Sequence, residues 1–156
     1  MSGLLQIRRA RLGDELALFA LVKQFPTPTP TPPPPTSEAF AQSLRVKLKD
    51  SDGFVAVADI DTKLVGYIAG DAHETFYAGG KIAWVDEILV AADARRRGVG
   101  RALMAEFENW AAGGRCRLVG LATRAATEFY EELGFEASSG YFKRYLRPED
   151  RTHRSD

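Results

Sequence analysis

The 156-residue sequence contains one cysteine, Cys116, and only two histidines, His73 and His153. A single cysteine excludes an internal disulfide and a zinc site built from cysteines, and it is typical of proteins from a reducing compartment. We therefore expect a cytoplasmic protein. No cluster of metal-ligand residue types is visible along the sequence, so we expect no metal cofactor.

An excess of charge of either sign is also missing, because 21 basic residues balance 21 acidic ones. Nucleic-acid-binding domains usually carry a basic excess, so we do not expect a nucleic-acid partner. No apolar run approaches the roughly 20 residues that a membrane-spanning helix needs. The N-terminal residues also lack the apolar core and the cleavage site of a signal peptide. The sequence therefore predicts a soluble protein without a membrane partner.

Proline is scarce except in one segment, since seven of the eight prolines lie within residues 26–36. Such a segment forms neither a helix nor a central strand, and it favours extended polyproline geometry. Three interpretations stay open. The segment is a stiff connector between two helices, a wall of a substrate site, or a docking site for a proline-binding module.

The hydrophobic periodicity of the chain predicts, in order, a strand, two helices, three strands, a helix, a strand, a helix and a last strand over 141–146. Asp61 and Thr62 are expected to form the turn of an antiparallel hairpin. This order predicts an α/β fold with a mixed, largely antiparallel central sheet flanked by helices. We expect one domain over residues 1–146, followed by a polar tail over 147–156.

The segment ARRRGVGRALM, residues 94–104, places arginines before Gly98 and Gly100 at the start of a predicted helix. Glycine lets a ligand approach the backbone closely, and the first N–H groups of a helix have no partner within the helix. Such groups bind anions, and neighbouring arginines add paired donors. A dinucleotide fingerprint is excluded because Leu103 replaces its third glycine. A P-loop is excluded because the chain has no Gly-Lys-Ser/Thr.

Two carboxylates, Asp86 and Glu87, interrupt the otherwise apolar predicted strand over 81–90. Successive residues of a strand alternate between its faces, so we expect one carboxylate to point towards the covered core and the other towards a cleft. A charged side chain in such a strand needs a partner or a task. It is either a general base or a structurally paired carboxylate, and both interpretations stay open.

Together, these segments resemble the GNAT superfamily of N-acetyltransferases. The acyl-CoA loop of that family reads Arg/Gln-x-x-Gly-x-Gly/Ala, and Arg95, Gly98 and Gly100 fill its three named positions. The preceding DEILV is similar to the family's cofactor-contacting strand. The later EFYEELGF is similar to its closing helix and strand, with Tyr130 at the expected tyrosine. The motifs are concentrated in residues 84–135, while the order of elements agrees over nearly the whole chain.

The resemblance implies that acetyl-CoA is the cosubstrate and that its acetyl group passes directly to an amine. The pyrophosphate is expected on the N–H groups of the arginine-glycine turn. Thr123 takes a position that is often asparagine in the family, so a shorter side chain would have to reach the pantetheine arm. The implied cofactor-binding residues are Ile88, Leu89, Val90, Arg95, Arg96, Arg97, Gly98, Val99, Gly100, Arg101, Thr123 and Tyr130.

For catalysis, the resemblance favours Glu87 as the general base, because it lies three residues before Val90, where the family often carries an acid. Asp86 is the alternative. A backbone N–H near Val90 is expected to stabilise the charge that develops on the thioester oxygen. Tyr130 is expected at the cleft as the proton donor to the departing thiolate, with Phe129 packed inward. A purely structural tyrosine in the core is the alternative for Tyr130.

The acceptor is left open as a small-molecule or peptide amine. In the family, the acceptor side corresponds to the Pro-rich segment and to residues 73–80 of this chain. Family members often dimerise, so the resemblance also allows a homodimer. Two rival functions stay open: a CoA-binding module without transferase activity, and nucleic-acid binding through the arginines at 95–97.

Overall fold

A five-stranded sheet lies at the centre of the computed structural model, which describes residues 3–26, 33–147 and 149. Its strands are rich in valine, isoleucine and other residues that pack well on a pleated surface. The strands are β1 (Leu5–Arg9), β2 (Gly53–Ile60), β3 (Lys63–Thr75), β4 (Gly80–Val90) and β5 (Val119–Leu121), and they lie side by side in chain order.

All neighbouring strands are antiparallel except β4 and β5, which are parallel. The predicted fold class, a mixed and largely antiparallel sheet flanked by helices, is therefore confirmed. The β2–β3 hairpin is confirmed as well. Asp61 and Thr62 form its two-residue turn with φ values of 53° and 66°, the left-handed conformation that tight hairpin turns require.

Among the described residues, four α-helices cover the two faces of the sheet. Leu18, Leu21 and Leu44, from the first two helices, pack with Val57 and Tyr67 on one face. The third and fourth helices pack on the other face, where Leu103 and Phe107 contact the strands. The helices are α1 (Glu15–Val22), α2 (Ser37–Lys49), α3 (Val99–Gly113) and α4 (Thr127–Glu132).

The predicted last strand over 141–146 is wrong, since the described residues after α4 form no strand. The segment YFKRYL places two apolar residues, two basic residues and two apolar residues in succession. Each face of a strand with this sequence would mix apolar and basic side chains, so neither face could be buried. Tyr141, Phe142 and Leu146 are accordingly exposed.

Parts of two predicted segments lie outside the described residues: 27–32 of the Pro-rich segment, and 148 and 150–156 of the tail. The three interpretations of the Pro-rich segment and the boundary of the tail therefore stay predictions. No helix in the described part of the chain combines the length and the hydropathy needed to cross a membrane.

Candidate functional site

The sheet is split between β4 and β5. The two strands pair only where Ala83–Val85 of β4 meet Val119–Leu121 of β5. Residues 86–90 of β4 pair with β3 on one edge, but no strand of the described residues pairs with their other edge, the one that faces away from β3. Because backbone N–H and C=O groups of alternate residues point to each side of a strand, some of them face this gap. An extended ligand can bind such an edge through main-chain hydrogen bonds.

The start of helix α3 lies just beyond the end of β4. Arg96 and Gly98 have φ values of 63° and 78°, and these two left-handed residues turn the chain into the helix. The Arg95 Nε donates to the Val90 carbonyl oxygen at 3.3 Å, which fastens the turn to the end of the strand. The first turn of α3 contains no acidic residue. Its N–H groups and the exposed arginines beside them can therefore receive an anion.

Gly100 has a packing role that the sequence did not predict. A Cβ atom built on Gly100 would lie 3.2 Å from Phe129 Cζ and 3.7 Å from Val90 Cγ2. The side-chain direction of residue 100 thus points at an aromatic ring from α4 rather than into solvent. The glycine lets α3 begin directly against Phe129, at the open half of β4.

Gly100→Val is expected to lower the free energy of unfolding by about 1–3 kcal/mol, because two methyl groups would be forced against Phe129. Urea denaturation would measure the loss. Gly113 is a matched control at the other end of the same helix, where an added Cβ meets nothing within 4 Å. The loss should shrink in a Phe129→Ala background. Equal losses for Gly100→Val and Gly113→Val would contradict the packing role.

Tyr130 lies in α4 with its ring in the core against α3, and its side chain is only 9% exposed. We expected Phe129 to be buried and Tyr130 to border the cleft. This order of burial is wrong, since Tyr130 is more buried than Phe129. Phe129 and Phe135 stack edge-on against the Tyr130 ring at 5.1 and 5.8 Å between centroids. The Tyr130 ring therefore packs against two other aromatic rings, one from α4 and one from the segment after it.

The Tyr130 hydroxyl is nevertheless available to a ligand. It makes no hydrogen bond within the described residues, and no fully buried side-chain polar atom there lacks a partner. The hydroxyl oxygen must therefore reach the surface at the end of a buried ring. Burial raises the pKa of Tyr130 above its ordinary value, so the hydroxyl keeps its proton at neutral pH.

Thr123 lies in the loop before α4, and its Oγ1 accepts a hydrogen bond from the Ala126 N–H at 3.2 Å. This bond arranges the loop that leads into the helix. A threonine hydroxyl that accepts one hydrogen bond still has its own proton to donate. Thr123 is therefore able to donate a hydrogen bond to a ligand in the gap while its oxygen accepts the bond from Ala126.

The two carboxylates of β4 do not alternate as expected. Ala69 pairs with Glu87 and Gly70 pairs with Val85, so Asp86 is the extra residue of a β-bulge. A bulge places two successive residues opposite one residue of the partner strand and breaks the alternation of side chains. Asp86 and Glu87 consequently both face the layer formed by α1 and α2, and the prediction of opposite faces is corrected.

Asp86 belongs to an ion-pair cluster at the surface. Lys47 Nζ of α2 lies 3.1 Å from the Asp86 carboxylate and 3.5 Å from that of Asp71, and it also donates to the Gly70 carbonyl oxygen at 3.4 Å. The side chain of Asp86 is 37% exposed. Among the described residues, no group of three or more histidine, cysteine, aspartate or glutamate side chains could hold a metal ion.

Glu87 lies in a different environment, one step further along β4. The Tyr67 hydroxyl donates to Glu87 Oε1 at 3.0 Å, and the carboxylate is half-buried. Burial raises the pKa of Glu87, while the hydrogen bond from Tyr67 and the charge of Lys47 oppose this rise and the charge of Asp86 adds to it. A carboxylate with a raised pKa is a stronger base than an exposed one.

The remaining predicted features lie further away. The tip of the β3–β4 hairpin exposes Phe76 and Tyr77. The tip joins β4 at Gly80, which lies roughly 20 Å along the strand from Glu87 at about 3.3 Å per residue. A small acceptor could not contact this tip and Glu87 at once.

Three residues of the site were missed by the sequence reading: Tyr67, Lys47 and Phe129. Tyr67 and Lys47 reach the carboxylates from β3 and α2, so only the folded chain brings them together. Phe129 was predicted only as core. Its position next to Tyr130, the tyrosine that the resemblance singles out, was the one available signal.

The gap between β4 and β5 can hold an extended part of a ligand, and the start of α3 beside the gap can hold an anionic group of the same ligand. Residues 17–135 match the profile of the acetyltransferase (GNAT) family, and the chain belongs to that family. The resemblance found in the sequence is thus confirmed.

Relatives and solved structures agree with this family. An uncharacterised N-acetyltransferase of Methanocaldococcus jannaschii is 36% identical over 93 residues, which cover 56% of this chain and 41% of that protein. The chain thus spans well under half the length of this relative. A glucosamine-6-phosphate N-acetyltransferase from Arabidopsis thaliana superposes with a TM-score of 0.78 at 18% identity, covering 92% of this chain and 99% of its own.

A second solved structure contains CoA. This aminoglycoside N-acetyltransferase superposes with a TM-score of 0.79 at 20% identity, covering 94% of this chain and 98% of its own. At such identities, the two superpositions establish a shared fold.

Proposed function

We propose that the protein is an acetyl-CoA-dependent N-acetyltransferase that acts on a primary amine. The observation that carries the proposal is the gap between β4 and β5 next to the start of α3. Glu87 lies on the α1/α2 face of β4, and Tyr130 belongs to the core on the α3/α4 face. A molecule lying across a sheet without a gap is reached from one face only. A molecule seated in the gap can be reached by a base from the α1/α2 side and by an acid from the α3/α4 side.

The residues present fit a CoA molecule. The N–H groups at the start of α3 and the exposed arginines at 95–97 and 101 would hold the phosphates. The open edge of β4 would bind the amide groups of the pantetheine arm through the backbone of Ile88 and Val90, with Thr123 as a further donor. The backbone groups of Leu89 point to Tyr67 on β3, so Leu89, which the resemblance included, would not take part in this binding. When bound, acetyl-CoA supplies the acetyl group as an activated thioester.

Glu87 would prepare the acceptor. A primary amine such as a lysine side chain has a pKa of about 10.4, so it arrives protonated and without a free electron pair. Transfer of one proton from the ammonium group to the Glu87 carboxylate, directly or through a water molecule, releases the neutral amine. Asp86 is the weaker candidate for this step because it is more exposed and lies in an ion pair with Lys47.

Two further groups would assist the transfer. A backbone N–H near Val90 in the open edge would donate a hydrogen bond to the carbonyl oxygen while negative charge develops there. The Tyr130 hydroxyl would give its proton to the sulfur that leaves. As the amide forms, the nitrogen loses its second N–H proton, which replaces the proton that Tyr130 gave to the sulfur. The proton taken by Glu87 passes to solvent, so the enzyme returns to its starting state.

The acceptor belongs to the same proposal as a small-molecule or peptide amine. The two similar solved enzymes are named for glucosamine 6-phosphate and for aminoglycosides, so both compounds belong in a panel with polyamines, amino acid amides and short peptides. The cytoplasmic location and the homodimer stay predictions.

Acetyl-CoA is expected to raise the melting temperature of the protein, because it binds the folded state alone. At a ligand concentration one hundred times the dissociation constant, the gain in unfolding free energy should be about 2.7 kcal/mol. ATP and NAD are the controls, since both carry phosphates and adenine but lack the pantetheine arm. Differential scanning fluorimetry with the three ligands measures the shift.

Release of free thiol from acetyl-CoA over the amine panel then tests transfer itself. Equal stabilisation by ATP would show that the site does not recognise the arm of CoA. Stabilisation by acetyl-CoA without thiol release for any amine would identify a CoA-binding module in place of a transferase.

A further inference from the structure

Tyr67 is a buried tyrosine that has no role in the proton transfers proposed above. Its ring is 1% exposed and packs in the core between the sheet and the first two helices. In the register of β3 and β4 it lies opposite Leu89, so Glu87 is its diagonal neighbour on the same face. An aromatic side chain is long enough to span a diagonal pair. The 3.0 Å bond from the Tyr67 hydroxyl to Glu87 Oε1 results from this register.

The direction of this hydrogen bond is fixed. Burial, followed by the charge of Glu87, raises the pKa of Tyr67 far above its ordinary value, so its hydroxyl keeps its proton and donates. The Glu87 carboxylate accepts. A bond from a neutral donor to a charged acceptor is stronger than one between neutral groups, and it favours the carboxylate over the carboxylic acid.

A core ring is also a rigid anchor. Leu18, Leu21 and Val57 belong to the cluster that encloses the Tyr67 ring, whereas a glutamate side chain has three rotatable bonds of its own. Tying one carboxylate oxygen to this anchor limits the rotation of the group and leaves the other oxygen free to accept a proton.

We propose that Tyr67 is a positioning residue for Glu87: its hydroxyl holds Oε1 and thereby presents Oε2 to the acceptor amine. The inference rests on the proposed function, in which Glu87 is the base. In the proton transfer, one N–H bond of the ammonium group breaks and one O–H bond forms on Glu87. Tyr67 retains its own proton throughout.

The charged groups around Glu87 in the described residues are Asp86 on its own strand and Lys47 on α2, and Tyr67 is the neutral donor from β3. Removal of the Tyr67 hydroxyl leaves the opposing influences of Asp86 and Lys47 in place. The change therefore isolates the hydrogen bond.

Tyr67→Phe tests the inference. We expect kcat/KM for the acceptor to fall about tenfold at neutral pH, and the acidic limb of the pH profile to move to higher pH, because the carboxylate loses a stabilising donor. The KM for acetyl-CoA should not change. Tyr141→Phe, at an exposed tyrosine, is the matched control and should behave as the wild type.

A merely structural role would have a different signature. In a Glu87→Gln background, Tyr67→Phe should cause no further loss of rate, whereas a general weakening of the fold would add its loss to that of Glu87→Gln. Carbon-13 NMR of the Glu87 carboxyl carbon gives a readout without turnover. Its titration midpoint should rise in Tyr67→Phe.

An unmoved midpoint, an unmoved pH profile or additive losses would each overturn the positioning role. If the wild type is active and Tyr67→Phe is unaffected, the positioning role is wrong and the proposed function still holds. A wild type that transfers acetyl to no amine sinks the proposed function, and the catalytic part of the inference with it.

Discussion

Tyr130→Phe is expected to lower kcat about a hundredfold while acetyl-CoA affinity stays within a few-fold of the wild type. A positioned general acid typically contributes 10²–10⁴ in rate. The substitution removes only the hydroxyl, which has no partner among the described residues, and it keeps the ring that packs against Phe129 and Phe135. The free energy of unfolding should therefore change little.

Two measurements on this variant separate catalysis from packing. Single-turnover kinetics report the chemical step, and urea denaturation reports stability. A variant that unfolds more readily but turns over at the normal rate would mean that Tyr130 serves the core. A stable variant at full speed would exclude the proton-donor role altogether.

Glu87→Gln should reduce kcat/KM for the acceptor at least a hundredfold at neutral pH. Glutamine keeps the shape of the side chain, and its amide oxygen can still accept from the Tyr67 hydroxyl. The wild-type rate should fall as the pH drops, because the base works only without its proton. Since burial raises the pKa of Glu87, this fall should begin above the ordinary titration range of glutamate. A pH profile of thiol release measures both effects.

Asp86→Asn is the matched comparison, one residue away on the same face. It removes the partner of Lys47 at 3.1 Å and should affect the rate less than Glu87→Gln does. The acidic limb should persist in Asp86→Asn and vanish in Glu87→Gln. A limb that vanishes only in Asp86→Asn would reverse the assignment of the base.

Local sequence signals predicted the parts of the molecule that depend on neighbouring residues. The start of α3 after Gly98 follows from a left-handed conformation that glycine favours, and Asp61 tolerates the same conformation in the hairpin turn. The apolar runs that became β2 and β4 are equally local. These elements and their order were enough to predict the sheet and its covering helices.

Features that depend on pairing between distant residues were not predictable in this way. The bulge at Asp86 arises because β4 has one residue more than β3 between two paired stretches, and this count is visible only in the register. The bond from Tyr67 to Glu87 depends on the same register. A tyrosine in an apolar strand otherwise has every property of a core residue.

The bulge also has a consequence for how β4 tolerates a change of length. Side chains of a regular strand obey an odd–even rule, so one inserted residue would exchange the buried and exposed sets of everything that follows. In β4 the extra residue is absorbed at Asp86, and Val85 and Ile88 still pack on one side while Leu89 packs on the other. A strand without this residue would have the same core parity. The strand can thus gain or lose one residue beside Glu87 without a compensating change elsewhere in the sheet.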